Sequence, residues 1–183
     1  MKTIRNNVFE TNSSSMHNVS ISNELAVGDH SGTTLFVDAS GDYGWSGPLV
    51  ETPEQKLDYA IVAYLSREYE RCPNADNTSE QQHKAECKKL GEALVEKVTA
   101  VLDEIVETFA QYGVTVEFGK NLHEYTIGSC YIKIKHSGYI DHQSAPGENS
   151  DCALIASWVE TNPNRLFNFC FNNSYIELDN DNH

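Results

Sequence analysis

Basic residues are scarce in this chain: 13 lysines and arginines stand against 27 aspartates and glutamates, for a net charge of −14. A protein that grips a nucleic-acid backbone needs a basic face, so the balance argues against direct DNA-backbone binding. The acidic excess is spread along the chain with no long acidic block, which reads as a solvated, self-repelling surface. A strip that imitates DNA is the other use such charge could have. Long apolar runs are also missing. None approaches the length of a membrane span, and Met1-Lys2-Thr3-Ile4-Arg5 turns polar at once, without a signal-peptide stretch. The expected setting is therefore the cytoplasm, with no membrane partner.

Fixed-spacing chemistry is absent too. The five cysteines, at 72, 87, 130, 152 and 170, show no C-x-x-C pair, so neither a zinc knuckle nor a redox motif is encoded. Buried, reduced thiols are the expectation. There is no H-E-x-x-H and no G-x-S-x-G, and the tail Leu178-Asp179-Asn180-Asp181-Asn182-His183 lacks the ligand alternation of a calcium loop. Internal repeats are lacking as well. A chain of 183 residues is then most simply one domain with a core that needs no staples.

What is present suits an α+β domain. Residues 17–22, 33–38, 114–118, 130–135, 166–171 and 175–178 read as strands. In the fourth of these, alternation puts Cys130, Ile132, Ile134 and His136 on one face, with Tyr131, Lys133 and Lys135 on the other. Thr52-Pro53-Glu54-Gln55 is a helix start, with a capping box and proline at the first position. That helix is expected to run to about Arg71, before Pro73. Thr78 or Ser79 caps a much longer helix, about 79–112, striped by Leu90, Leu94, Val98, Val101, Ile105, Phe109 and Tyr112 and closed by Gly113. Gly91 within it marks close packing. A short helix runs from Ser150-Asp151 to about Glu160. Strands at both ends with helices between predict a mainly antiparallel sheet packed against two or three helices, one of them long.

Two polar clusters carry the candidate chemistry. The first runs from Arg5 through Asn12, Ser13, Ser14 and Ser15 to His17, pinned by Val8-Phe9 before it and Met16, Val19 and Ile21 after it. Small hydroxyls, amides, free backbone N–H groups and one guanidinium suit an anion or a nucleotide. The second is His136-Ser137-Gly138-Tyr139-Ile140-Asp141-His142-Gln143-Ser144, which directly follows a strand. A carboxylate beside an imidazole can orient it and raise its basicity, provided that the backbone bends there, as Gly138 permits. Between the clusters, a glycine-rich loop at 40–48 carries Tyr43 and Trp45, rings that can stack on a base or plug the edge of the core.

Three constructions follow. In one, His17 and His142 act as acid and base on a phosphoester, with Asp141 orienting an imidazole. Arg5, Asn12, Ser13, Ser14, Ser15, Trp45, Gln143 and Ser144 hold the ligand, and no cofactor is needed. In another, His136, Asp141, His142 and Asp179 or Asp181 bind a divalent metal that activates water. In the third nothing turns over, and the same groups recognise a small anion or a partner protein. His30, His83, His123 and His183 read as surface or loop residues.

The run Phe9-Glu10-Thr11-Asn12-Ser13-Ser14-Ser15-Met16-His17 resembles proteins encoded by phages and mobile elements. So do Gly41-Asp42-Tyr43-Gly44-Trp45, Gly138-Tyr139-Ile140-Asp141-His142-Gln143-Ser144, and Leu166-Phe167-Asn168-Phe169 followed by Ser174 and the Asn-Asp-Asn of residues 180–182. The long middle helix contributes nothing to this likeness. The resemblance implies a viral origin and a host-cytoplasmic setting, and it carries no catalytic residues with it. Four motifs so far apart are expected to converge on one cleft. The functional expectation is a phage-type accessory protein that binds a nucleotide or other phosphoester, cleavage being its enzymatic form. The alternative is a non-enzymatic acidic inhibitor of a host or defence protein.

Overall fold

The structure, a computed structural model, describes residues 15–44, 49–73, 79–140 and 151–180. Helix α1 (Pro53–Leu65) starts where its capping residues dictate: the Thr52 side chain accepts from the Gln55 N–H, and the Gln55 side chain accepts from the Thr52 N–H. From Lys56 to Leu65 every residue is buried, so α1 is the central rod of the core rather than an amphipathic surface helix. Its end differs from expectation. The helix stops at Leu65, and strand β4 (Tyr69–Arg71) follows instead of two more turns. Partners remote in sequence decide this. Strand β4 pairs antiparallel with β7 (Tyr131–Ile134), the Tyr69 ring meets Tyr131 edge-on at 4.9 Å, and Glu68 is held by Lys97 at 2.7 Å.

Helix α2 (Glu80–Ala110) is the long helix, with Ser79 and Gln82 forming its capping box. Its buried face is Cys87, Gly91, Leu94, Val98, Leu102, Ile105 and Phe109, at steps of three and four. Leu90 and Val101 fall on the margin of that face, and Tyr112 lies beyond the end, stacked on Phe167 at 3.9 Å. Gly91 packs as expected: a methyl group there would collide with the Tyr125 ring. Among the described residues no helix is long and apolar enough to cross a membrane.

The segment 166–171 is a correction. The sequence reads it as a strand, but it is the body of helix α4 (Pro163–Phe171). Asn162 and Pro163 do more than end helix α3 (Asp151–Thr161); Asn162 caps the next helix, its Oδ1 accepting from the Arg165 N–H at 3.0 Å. A short apolar run fits both periods, and here Leu166, Phe167 and Cys170 share a buried helical face. The Phe167, Phe171 and Phe109 rings interlock, with His30 at 4.4 Å from Phe171. The chain therefore has four α-helices among its described residues, the extra one replacing an expected strand.

The pairings are mainly antiparallel, which makes the fold α+β as the sequence predicts. Strand β1 (Ser15–Ser20) pairs antiparallel with β9 (Tyr175–Asn180), and β4–β7–β6 form an antiparallel sheet, β6 being Tyr125–Ile127. Two pairs are parallel: β2 (Thr34–Val37) with β5 (Thr115–Phe118), and β3 (Asp42–Tyr43) with β8 (Tyr139–Ile140). In β7 the expected alternation holds. Ile132 and Ile134 face the core, while Tyr131, Lys133 and Lys135 face out. The thiols divide. Cys87, Cys152 and Cys170 are buried and free as expected, but Cys72 is half-buried and Cys130 exposed, because Cys130 lies in the turn between β6 and β7.

Candidate functional site

Strand pairing joins the candidate motifs two by two. The parallel register sets Asp42 opposite Tyr139 and Tyr43 opposite Ile140. Because the strands run the same way, Tyr43 and Ile140 stand side by side at one end of the pair. The antiparallel register of β1 and β9 sets Ser15 opposite Asn180, Met16 opposite Asp179 and His17 opposite Leu178. Behind it, the Ser22 N–H donates to Ser174 Oγ at 2.9 Å, and Asn172 Nδ2 donates to the Ser22 and Glu24 carbonyls at 3.2 and 3.0 Å. A bridge between Val50 and Ile176 ties the segment after the Trp45 loop to β9. Arg5, Asn12, Ser13, Ser14, Trp45, Asp141, His142, Gln143, Ser144 and Asp181 themselves lie outside the described residues. For Ser15, His17 and Asp179 the description covers the strand position alone.

Beneath the β3–β8 pair lies a built polar floor. Asp58 on α1, 9% exposed, accepts from the Tyr43 hydroxyl at 2.7 Å and from the Gly41 N–H at 3.1 Å. Burial pushes the Asp58 carboxyl above its ordinary range, against the opposing pull of the Tyr43 and Gly41 hydrogen bonds. The Tyr43 phenol is pushed well up by burial and then by the Asp58 charge, so it keeps its proton and can donate to Asp58. Ala39 adopts φ +52°, which turns the chain so that its carbonyl accepts from the Gly138 N–H at 2.6 Å. The Gly41 carbonyl then accepts from the Tyr139 N–H at 3.0 Å. His136, half-buried beside this floor, has its pKa lowered chiefly by burial, with hydrogen bonding to the Gly138 backbone opposing. Asp58 is thus a positioning group: both of its roles are to hold β3 backbone and ring in place for β8.

The floor yields a prediction. An acid whose folded pKa is raised keeps its proton in the folded state at pH values where the unfolded chain has lost it. Its contribution is therefore present below the ordinary value of 3.8 and is lost as pH rises through the folded pKa. Asp58→Asn keeps an acceptor for Tyr43 and Gly41 without the charge, so its stability relative to wild type should improve from pH 4 to pH 7 in urea titrations. Asp58→Ala, which strands the Tyr43 hydroxyl and the Gly41 N–H, should cost about 2–4 kcal/mol at pH 4 and less at pH 7, where the wild type carries the buried charge. A flat difference between wild type and Asp58→Asn would mean that the carboxyl is not strained by burial.

Sequence reasoning passed over an asparagine-lined cleft of about 320 Å3 between the 21–25 loop and helices α3 and α4. Asn164, Asn168 and Asn172 recur at steps of four, a face that becomes legible only once 163–171 is read as helix. Their amides are already used. Asn168 Oδ1 accepts from the Ala26 N–H and its Nδ2 donates to the Asn164 carbonyl, while Asn172 holds Ser22, Glu24 and Ser174. Arg165 lies over the Trp158 ring at 4.4 Å. The cleft is a seam that fastens the 21–26 loop to α4.

His30 lies in a loop as expected, yet packs in the phenylalanine cluster, and His83, half-buried on α2, has its Nε2 3.6 Å from Cys87 Sγ. His123 is hydrogen-bonded to Thr99 at 3.1 Å. Among the described residues no three histidine, cysteine or acidic side chains are grouped to hold a metal ion. The chain matches no protein-family model, no curated protein and no solved structure.

Proposed function

We propose that this is a phage-type accessory protein whose polar cleft binds a nucleotide or another small phosphoester, with hydrolysis by His17 and His142 as the enzymatic form of the same site. The parallel β3–β8 register carries this reading, because it sets Tyr43, two residues before Trp45, opposite Ile140, the residue before Asp141. The carboxyl ends of parallel strands are where open α/β folds place ligands. The β1–β9 pairing brings the segment after the serine run to the tail motif, and the Val50–Ile176 bridge links the two halves. In this reading Arg5, Asn12 and Ser13–Ser15 hold the anion, Trp45 stacks on the base, Gln143 and Ser144 donate to the ligand, and Asp141 orients an imidazole. The motif resemblance supports a viral setting and host-cytoplasmic action.

The test uses the two tryptophans. Trp158 is buried at 3% exposure, so fluorescence quenching by nucleoside mono-, di- and triphosphates should report Trp45 and vanish in Trp45→Phe. His17→Ala and His142→Ala should each weaken binding at least about tenfold, the loss of one charge-assisted hydrogen bond, with little change in Tm. A large fall in Tm, or unchanged quenching in both variants, would remove the histidines from the site.

One observation favours the acidic-inhibitor reading as a second. The last turns of α2 carry Asp103, Glu104 and Glu107 with no basic residue in the final turn, against the sense of the helix dipole. Ion pairs among the described residues use Glu92, Glu68 and Glu124 instead. Carboxylates kept at that end suit a basic partner surface. Binding of that kind falls steeply with ionic strength, whereas a small-ligand cleft responds less.

A further inference from the structure

This acidic chain carries one exposed sheet face of the opposite sign. The β4–β7–β6 sheet buries Ile132 and Ile134 on its inner side against α2, whose Gly91 lies against the Tyr125 ring. On the outer side, the antiparallel register places Tyr69 opposite Lys133 and Arg71 opposite Tyr131, with Thr126 of β6 opposite Lys133 from the other flank. Directly opposite residues share a face. Lys135, the next outward residue of the β7 chain, pairs with Glu124 at 2.8 Å. Three cations therefore stand against one carboxylate here, in a chain of net charge −14. The two rings are open to solvent. Tyr69 is 43% and Tyr131 41% exposed, and they meet edge to face at 4.9 Å with 82° between their planes. The Lys133 ammonium lies 5.8 Å from the centre of the Tyr131 ring. At the Arg71 end the face runs into a cavity of about 520 Å3, which Arg71, Tyr131, His83 and Ser129 help to line.

We propose that this face binds single-stranded nucleic acid, its bases stacking on Tyr69 and Tyr131 and its phosphates passing Arg71, Lys133 and Lys135. Two exposed rings set at right angles offer a base one ring face to stack on and one ring edge beside it. Every base has such a face to offer, so binding is tolerant of sequence. The cations stand within one or two strand positions of the rings, where they neutralise the phosphates on either side of a stacked base. The adjoining cavity takes a further nucleotide, with the His83 imidazole and the Ser129 hydroxyl as groups able to hydrogen-bond to it. Two features select this occupant. A duplex hides its base faces and brings a denser row of charge against an acidic body. An acidic peptide meets the cations but leaves the rings without a planar partner. An unpaired strand uses both. The expectation against gripping duplex DNA is kept, since three cations suffice for a few phosphates and not for a groove.

The experiment titrates the full chain into fluorescein-labelled oligo-dT and oligo-rU of about eight nucleotides and follows anisotropy over a range of salt concentrations. The expected result is saturable binding that weakens with salt, and the tighter of the two strands identifies the sugar. Tyr69→Ala and Tyr131→Ala should each raise Kd about fivefold or more, the loss of one base–ring stack. Tyr131→Phe, which keeps the ring, should bind as wild type does. Lys133→Ala should reduce the slope of log K against log salt by about 0.7, the share of one phosphate on a single strand. Lys88→Ala, which removes an exposed cation on α2, should leave both Kd and slope unchanged. All of these side chains are exposed, so Tm should stay near the wild-type value and lost contact is separated from lost folding. No anisotropy change at low salt, an unchanged Kd in both alanine variants, or equal affinity for a duplex of the same length or for an oligo-glutamate peptide would overturn the proposal. So would loss of oligonucleotide binding in Trp45→Phe, which would seat the strand in the phosphoester cleft. Retained binding in that variant makes this face independent of that reading.

Discussion

Gly138→Ala should lower stability by about 2–4 kcal/mol, equivalent to a fall in Tm of about 4–16 °C for a chain of this size. The added methyl would collide with a Val62 methyl and approach the Ala39 carbonyl oxygen to 2.5 Å and its carbon to 3.1 Å. Backbone atoms cannot swing aside as a side-chain tip can. Withdrawal would break the Gly138 N–H to Ala39 bond at 2.6 Å and strain the Tyr139 N–H to Gly41 bond beside it. Replacing glycine by alanine ordinarily gains about 0.4–1 kcal/mol through the unfolded chain, which is too little to offset this contact. The variant also tests function, since it loosens the β3–β8 pair while leaving Trp45, Asp141 and His142 unchanged in sequence. The nucleotide binding proposed for this cleft should weaken more than twofold even at temperatures where the variant is fully folded. Wild-type stability in Gly138→Ala would show that the two chains do not approach as closely as described.

The second large effect is expected at Lys56. This lysine is 2% exposed on α1, and its ammonium donates to the Phe169 carbonyl at 3.2 Å and the Asn172 carbonyl at 2.8 Å. Those carbonyls end α4, whose final turn has no basic residue of its own, so α1 supplies the cation that the helix end attracts. Among the described residues no carboxylate pairs with it. Lys56→Ala should cost about 3–5 kcal/mol, combining a cavity with unpaired carbonyls. Lys56→Met keeps the volume and should cost less, about 1–3 kcal/mol. Burial lowers the Lys56 pKa, against opposing contributions from Cys170 and Glu51. A base with a lowered folded pKa binds its proton more tightly when unfolded, so its contribution to stability improves as pH rises from the folded value toward 10.5. The advantage of wild type over Lys56→Met should widen across that window in urea titrations. A constant advantage would mean that the ammonium is as well solvated inside as outside. The comparison holds the fully buried Cys170 thiol, pushed up to about 12 by burial, nearly constant.

These two residues mark where sequence reading stops. Gly138 was legible as permission to bend, but that it admits the Ala39 carbonyl depends on a parallel pairing no local signal contains. Lys56 reads as an ordinary polar position in α1, and only the docking of α4 makes it a buried cap. The candidate site divides the same way. The polar motifs were visible as clusters of donor and charged side chains, whereas the register that joins Tyr43 to Ile140 and His17 to Leu178 comes from pairing across the chain.

The capping boxes at Thr52 and Ser79, the buried stripe of α2 and the alternation in β7 were determined by the sequence itself, because each rests on neighbours within four residues. The end of α1, the helical state of 163–171, the Asp58–Tyr43 floor and the approach of Cys72 to Cys130 were decided only in three dimensions. Local propensity is worth a few tenths of a kilocalorie per residue, whereas burying a ring or satisfying a buried polar group is worth about one or more. Where the two disagreed, tertiary contact prevailed.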